Sequence, residues 1–373
     1  MKYCTKCLIP STKPNVKFDK SGTCFACQNY QEIKNLSKES INKNSDFNKL
    51  FKEIKKQKKI YDVVIPVSGG KDSLYQVYKT KKYTNKILGV CIDFGLRNEI
   101  GEHNLNIIQT KLNVDVIKFS INHLQIRKLA LYSLEKFGDP DLFNHIAIYT
   151  IPALIAYKFD IPLILYGENS KVLYGAEKKY ENSKEISKQV LDYDFFKHYV
   201  SHSNINLDKI LNKLKIGYPE KNFFRYNKKF IKKKVVFFSS FFGWNEPKHY
   251  KLALKLGFKH KSSYEGTYRN YINVDEDWNR VHHYLKLLKF GYGRTTDHVC
   301  EDIRLGKITR EYGKKLIRKY EFKTIGDYYI NSIAAFLNIR NSRLKKILEK
   351  FRNRVLWKKR NNKWILKNSE IFD

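Results

Sequence analysis

The chain has 373 residues but only one methionine, eight prolines and 18 glycines, and it is short of acid. Its 37 Asp and Glu stand against 72 Lys and Arg, a formal net charge of +35. So little Pro and Gly excludes collagen-like and low-complexity classes. With 42% hydrophobic and 14% aromatic residues the chain can bury a sizeable core. Its length allows two or three packed units at roughly 100–200 residues each. No run approaches the ~18 consecutive apolar residues of a membrane span, so no membrane insertion is expected. No apolar leader precedes Cys4, which argues against secretion. Six cysteines are too few for a disulfide scaffold in a chain this long. Four of them form two CxxC pairs, which suits metal binding in a reducing cytoplasm, and a cytoplasmic location is expected. The basic excess is spread along the chain, with Lys outnumbering Arg and Asn, Ile and Tyr frequent, as an AT-rich gene would produce. Nucleic-acid recognition calls for clustered charge, so nucleic acid is not the expected partner.

Residues 1–30 hold the CxxC pairs. Residues 31–58 are polar and Lys-rich, with Leu36, Ile41, Phe47, Leu50, Phe51 and Ile54 at helical spacing, and read as a helical linker. From 59 to 245 short apolar runs alternate with helical patterns. The runs at 62–67, 86–93, 114–119, 161–166 and 234–239 predict five buried strands. The stretches 99–112, 122–137 and 143–158 predict helices between them. This is the pattern of an α/β fold, a doubly wound parallel sheet covered on both faces. A charged insertion at 176–232 interrupts it. Residues 246–373 are mainly helical, with helical or short-strand spacing in the last 30. In doubly wound sheets ligands bind at the carboxyl ends of the strands, near the point where strand order reverses. The polar ends of strands one, two and four are therefore the places to look for chemistry.

Cys4-x2-Cys7, 16 intervening residues, then Cys24-x2-Cys27 is a four-thiolate zinc pattern. Each CxxC brings two thiolates to one ion from a tight turn, and two such turns complete a tetrahedron. No ligand position is left for water, so the expected Zn²⁺ is structural. Ser68-Gly69-Gly70-Lys71-Asp72-Ser73 follows the first strand directly. Its glycines let backbone N–H groups approach phosphate oxygens, and the loop opens a helix whose N-terminus favours anions. Ser68 and Ser73 add hydroxyls, and Lys71 adds positive charge. The spacing is not that of a Walker A loop, which needs G-x4-G-K-[ST]. Arg294, Asp297, His298, Glu301, Asp302 and Arg304 fall within 11 residues. A solvated, salt-bridged helix would explain that cluster as well as a substrate site does. Cys91 and Cys300 read as packed thiols.

The Ser68–Ser73 stretch resembles the SGGxDS loop of the PP-loop ATP pyrophosphatases. That resemblance implies cleavage of ATP between its α- and β-phosphates, with adenylation of a substrate oxygen. It implies a cofactor set of ATP and Mg²⁺, with Asp72 beside the metal and Asp93 near the nucleoside. Tyr166-Gly167-Glu168-Asn169, Glu265-Gly266-Thr267-Tyr268 and the run from Phe290 to His298 resemble segments of the N-acetyl sugar amidotransferases. So do Glu301-Asp302-Ile303-Arg304, Ile308-Thr309-Arg310-Glu311 and the cysteine-rich opening. The similarity extends from residue 1 to about 320. It implies that the acetamido oxygen of a free or nucleotide-linked N-acetyl sugar is adenylated and replaced by ammonia, giving an acetamidino sugar for bacterial surface polysaccharide or flagellar glycan. Lys71, Asp72, Arg294 and Asp297 are then the expected catalytic and substrate-side residues. Ser68, Gly69, Gly70, Lys71, Asp72, Ser73, Asp93, Gly167, Glu168 and Asn169 would contact the nucleotide. Position 2 is Lys, so no N-terminal cysteine is there to hydrolyse glutamine, and no G-x-C-x-G elbow occurs. The resemblance therefore implies a separate glutaminase like that of histidine biosynthesis, with a cyclase-like subunit alongside it.

Two alternatives stay open on sequence. Some tRNA thiolation enzymes also place a CxxC knuckle before an SGGKDS loop, although they usually carry further cysteines in the core. A zinc-knuckle RNA-binding protein with a degenerate ATP site is the other.

Overall fold

The structure, a computed structural model, describes residues 1–30, 41–168, 206–218, 220–225, 233–367 and 369–372. Asn169, residues 31–40 of the expected linker and most of the 176–232 insertion lie outside them.

Five strands form one parallel sheet: β1 (Val63–Pro66), β2 (Ile87–Asp93), β3 (Asp115–Ser120), β4 (Leu163–Tyr166) and β5 (Lys234–Phe237). Their order is β3-β2-β1-β4-β5, and every neighbouring pair is parallel. Strand order reverses between β1 and β4, which opens a crevice beyond their carboxyl ends. Side chains alternate across the sheet because successive Cβ atoms in a strand point to opposite faces. Val64, Leu88, Val90, Ile92, Ile164 and Phe237 join one core, while Val63, Ile65, Ile87, Cys91, Leu163 and Val236 join the other. Burial is why the runs of β1, β2, β4 and β5 read as largely apolar segments, whereas β3, at the sheet edge, is partly exposed rather than buried as its run predicts.

The helices α1 (Ile41–Lys55), α2 (Lys71–Thr80) and α3 (Glu99–Thr110) line one face. Those of the other face are α4 (His123–Phe137) and α5 (Leu142–Lys158). Local sequence sets their ends. Asn122 accepts from the N–H groups of Leu124 and Gln125 at the start of α4, and Gly138 ends it in the left-handed conformation at φ 60°. α5 is apolar nearly all round, as a helix buried under the sheet must be.

After residue 245 the chain does not build a core of its own. α6 (Glu246–Lys255) packs on α2, and Ala253, Phe258 and Val274 enter the core that holds Val63 and Ile65. α7 (Trp278–Phe290), α10 (Asp327–Leu337) and α11 (Asn341–Lys350) extend the core that holds Val64 and Leu88. Between α7 and α10 lie α8 (Arg294–Arg304) and α9 (Arg310–Tyr320). A hairpin of β6 (Trp357–Arg360) and β7 (Lys363–Leu366) follows. Its turn residues Asn361 and Asn362 both have positive φ, 47° and 57°. That is the pair of angles a two-residue type I′ turn demands, and Asn tolerates it. A third core joins Cys4, Cys7, Leu8, Cys24 and Cys27 of the N-terminal module to Val299, Cys300 and Ile317 of α8 and α9.

Candidate active site

The Ser68–Ser73 loop spans the gap between β1 and α2, at the reversal point of the sheet. Gly69 sits at φ +80°, and a Cβ there would stand 2.5 Å from the backbone nitrogen of Leu105 in α3. Only glycine allows so close an approach. Gly70 donates its N–H to Ser68 Oγ at 3.1 Å, and Ser73 Oγ donates to the Gly70 carbonyl at 2.9 Å. Arg97 donates to the Ser68 and Gly101 carbonyls, tying the loop to α3. Among the described residues no side chain caps α2, which leaves its first N–H groups to an anion.

A cleft of about 380 Å³ opens over the loop. Ser68, Gly70, Lys71, Asp72, Ser73, Gly167 and Glu168 line it on the β1 and β4 side. Ile92, Phe94, Ile148 and Tyr149 supply apolar wall, while Asp141, Asp275 and Glu276 add carboxyl groups among Asn144, His145 and Asn273. Gly167 leaves room for Trp244, whose ring would lie 3.2 Å from an added Cβ. Asp93 ends β2, where its carboxylate accepts from the Gly95 N–H at 2.8 Å and lies 3.6 Å from Lys118, outside the cleft lining.

Lys71 is 4% exposed and ion-paired with Asp72 at 2.7 Å and with Glu246 at 3.4 Å. Burial opposes its charge, but Asp72, Glu246 and Glu301 outweigh it and keep the ammonium protonated above its usual range. Burial also opposes the Asp72 charge, yet Lys71 and His249 hold that carboxyl well below the ordinary carboxylate range. His249 Nδ1 lies 2.7 Å from Asp72 and its ring stacks on Tyr75 at 4.1 Å. At Glu168 burial, with Asp72 and Glu246 nearby, outweighs the opposing Lys71 and pushes the carboxyl up to about 7. Burial, with Asp275 and Asp141 nearby, also raises the Glu276 carboxyl well above its ordinary range.

Arg294 and Asp297 lie behind Lys71, outside the cleft lining. Arg294 is 3.8 Å from Glu246 and 3.6 Å from Asp297. Asp297 also pairs with Lys286, and with Lys13, Cys24 and Arg304 it lines a small pocket against the N-terminal module. Glu246 is the hub, since Arg269 reaches it at 2.9 Å and goes on to Glu301 at 2.6 Å and Asp302 at 2.8 Å. Neither Glu246, Arg269 nor His249 stands out in the sequence. The Glu246-Pro247 helix start, with Asn245 as its cap, is the one local signal near the hub.

The ligand atoms of Cys4, Cys7, Cys24 and Cys27 all lie within 4.8 Å of one another and are buried. Four sulfurs each about 2.3 Å from one zinc ion stand about 3.8 Å apart in a tetrahedron. The Cys7–Cys24 and Cys4–Cys27 sulfur pairs are 3.8 and 4.0 Å apart. The N–H groups of Cys7 and Cys24 point at Cys4 Sγ at 3.5 and 3.2 Å, as thiolates in closed sites require. Arg310 clamps the module to α9 through the Cys4 and Cys7 carbonyls, both at 3.3 Å. The thiols fit a structural Zn²⁺. Cys91 is buried within the sheet, and Cys300 is buried against Cys7.

One comparison bears directly on the region behind Lys71. Residues 265–369 match the family model described as LPS biosynthesis protein WbpG-like, C-terminal domain. That span carries Arg269, Arg294, Asp297 and Glu301, the groups wired to Lys71 through Glu246. No curated protein sequence matches the chain. Among solved structures, the chain is similar to the NH3-dependent NAD synthetase from Campylobacter jejuni subsp. jejuni NCTC 11168 in complex with the nitrate ion. The two are 15% identical over 60% of this chain and 97% of that one, and the TM-score of 0.29 carries no functional argument. No described helix is long and apolar enough to cross a membrane.

Proposed function

We propose that the protein is an ATP-dependent amidotransferase that adenylates the acetamido oxygen of an N-acetyl sugar and replaces it with ammonia. The products are an acetamidino sugar, AMP and pyrophosphate, and the sugar serves bacterial surface glycan. One observation carries this reading: an SGGKDS loop at the reversal point of the sheet has its buried Lys71 joined, through Glu246, to Arg269 and Arg294 of a segment similar to a lipopolysaccharide biosynthesis domain.

The chemistry follows from what each group can do. An amide oxygen is a poor leaving group until it is adenylated. Attack of that oxygen on the α-phosphorus expels pyrophosphate, which the loop amides, the Ser68 and Ser73 hydroxyls and the free N–H groups of α2 are arranged to hold. Lys71, fully charged, neutralises the departing phosphates. A Mg²⁺ ion arriving with the nucleotide would add a hard cation at the phosphates, and Asp72 and Glu168 are the oxygen donors that fit it. Ile92, Phe94, Ile148 and Tyr149 suit an adenine ring. The carboxyl groups of Asp141, Asp275 and Glu276 suit a group that turns from a neutral acetamide into an acetamidinium cation. Ammonia comes from a separate glutaminase in this reading, and Zn²⁺ has only a structural part.

The test is mass spectrometry with ATP, Mg²⁺, ammonium and a panel of free and nucleotide-linked acetamido sugars. Replacing oxygen by NH lowers the sugar mass by about one unit, in step with AMP and pyrophosphate release. Lys71→Ala abolishes both. If no sugar reacts and bulk tRNA stimulates AMP release instead, the thiolation alternative takes its place.

A further inference from the structure

Behind Lys71, Glu301 Oε1 and His298 Nε2 are among the buried polar atoms that have no hydrogen-bond partner within the described residues. Both belong to α8, three residues apart and so on one helix face. Each side chain is clamped by its other polar atom. Glu301 Oε2 receives Arg269 Nη1 at 2.6 Å, and His298 Nδ1 lies 2.6 Å from Thr267 Oγ1. An orphaned buried polar atom is costly and is rarely retained without a use. Two of them on one helix face, one ion-pair network away from Lys71, mark a place for a small guest.

The surroundings say what the guest is. A free carboxylate oxygen accepts hydrogen bonds and refuses anions. The bond between Thr267 Oγ1 and His298 Nδ1 can run either way; in the Nδ1–H tautomer, the one this site requires, Nε2 presents a lone pair, again an acceptor. Two acceptors call for a guest rich in N–H or O–H. Burial, then Arg294, Arg269 and Lys71, depress the imidazole and keep it neutral. Those cations act in the same direction on any protonated amine held there, favouring loss of its proton. Burial and the neighbouring Glu246 raise the Glu301 carboxyl, with Arg269 opposing, which suits it to take that proton. Asp302, held by Arg269 Nη2 and by the Tyr268 hydroxyl at 2.5 Å, is occupied on both oxygens.

We propose that Glu301 and His298 form the receiving site for the nitrogen nucleophile, an ammonium ion that passes a proton to Glu301 and moves on past the Lys71–Glu246 pair as ammonia. The inference rests on the function proposed above. The ammonia lone pair forms a C–N bond to the adenylated acetamido carbon, the nitrogen loses one proton, and the C–O bond to AMP breaks with its electron pair on AMP. The sugar leaves as an acetamidinium.

Two assays on the full chain separate this site from the adenylation chemistry: acceptor-dependent ATP–pyrophosphate exchange, and ammonium-dependent amidine formation. Glu301→Gln is expected to lower the ratio of nitrogen transfer to exchange about ten-fold, by raising the KM for ammonium. Hydroxylamine, which is unprotonated at neutral pH, is expected to restore transfer in that variant. His298→Asn is expected to shift the same ratio in the same direction, and decides alone if Glu301→Gln does not fold. An unchanged ammonium KM, or transfer and exchange falling together, overturns the proposal and leaves water as the guest. If the wild-type chain shows no acceptor-dependent exchange with any acetamido sugar, the underlying function fails first, and the nucleophile site with it.

Discussion

Glu246→Ala is the most informative perturbation, because one buried carboxylate faces three cations. Lys71 stands 3.4 Å from it, Arg269 2.9 Å and Arg294 3.8 Å, and Glu246 is 8% exposed. Removing one partner of a buried ion pair costs about 3–5 kcal/mol, because the opposite charge is left without compensation. Here Lys71 keeps Asp72, and Arg269 keeps Glu301 and Asp302, so the lower end applies, about 3 kcal/mol. With a urea slope near 3 kcal/mol per M, the unfolding midpoint falls by about 1 M. Glu246→Gln retains the shape and some hydrogen bonding and falls between. Adenylate formation drops alongside, since Lys71 loses the group that fixes its position behind the loop. A loss below about 1 kcal/mol with adenylation intact would refute the argument that Glu246 couples the C-terminal segment to the loop.

Three further outcomes follow from the geometry. Gly69→Ala sets a Cβ 2.5 Å from the Leu105 nitrogen at φ +80°, so ATP turnover falls sharply while far-UV circular dichroism barely changes. Cys24→Ser removes one of four converging thiols, and elemental analysis is expected to show loss of about one zinc per chain with a lowered Tm, since the module packs on Val299 and Ile317. Glu168 carries a folded-state pKa of about 7 against an ordinary 4.5, so between those values the folded chain binds the extra proton. Stability contributed by the protonated carboxyl is therefore present below pH 4.5 and is lost as pH rises through about 7. Urea titrations across that window are expected to show Glu168→Gln flattening the decline, and parallel wild-type and variant curves would contradict it.

What was legible beforehand depended on how local each signal is. The five runs at 62–67, 86–93, 114–119, 161–166 and 234–239 are each within two residues of a strand; β1, β2, β4 and β5 are largely buried, which leaves mostly apolar stretches, while the edge strand β3 is partly exposed and carries Asp115 and Lys118. The glycines of the loop announced a close backbone approach, although that the neighbour is Leu105 of α3 could not be read from them. The Arg294–Arg304 cluster announced a polar helix without saying where it pointed. In the structure Arg294 and Glu301 face the Glu246–Lys71 network, while Asp297 turns to Lys286 and the cysteine module. Glu246, Arg269 and His249 gave no warning, for each stands alone in the sequence, outside any motif, and their partners are distant in the chain.

The sequence by itself determined the elements whose cause is local. Short apolar runs set the strands, the Asn122 and Gly138 caps set the ends of α4, and two CxxC turns can each bring a pair of thiols together. Only the tertiary structure decided which distant groups share an environment. Lys71 and Glu246 are 3.4 Å apart because α6 packs on α2, and Arg269 joins them through Glu246. Periodicity carries no information about such pairings. They depend on how elements far apart in the chain pack in three dimensions, and a buried charge is held wherever that packing brings its counter-ion.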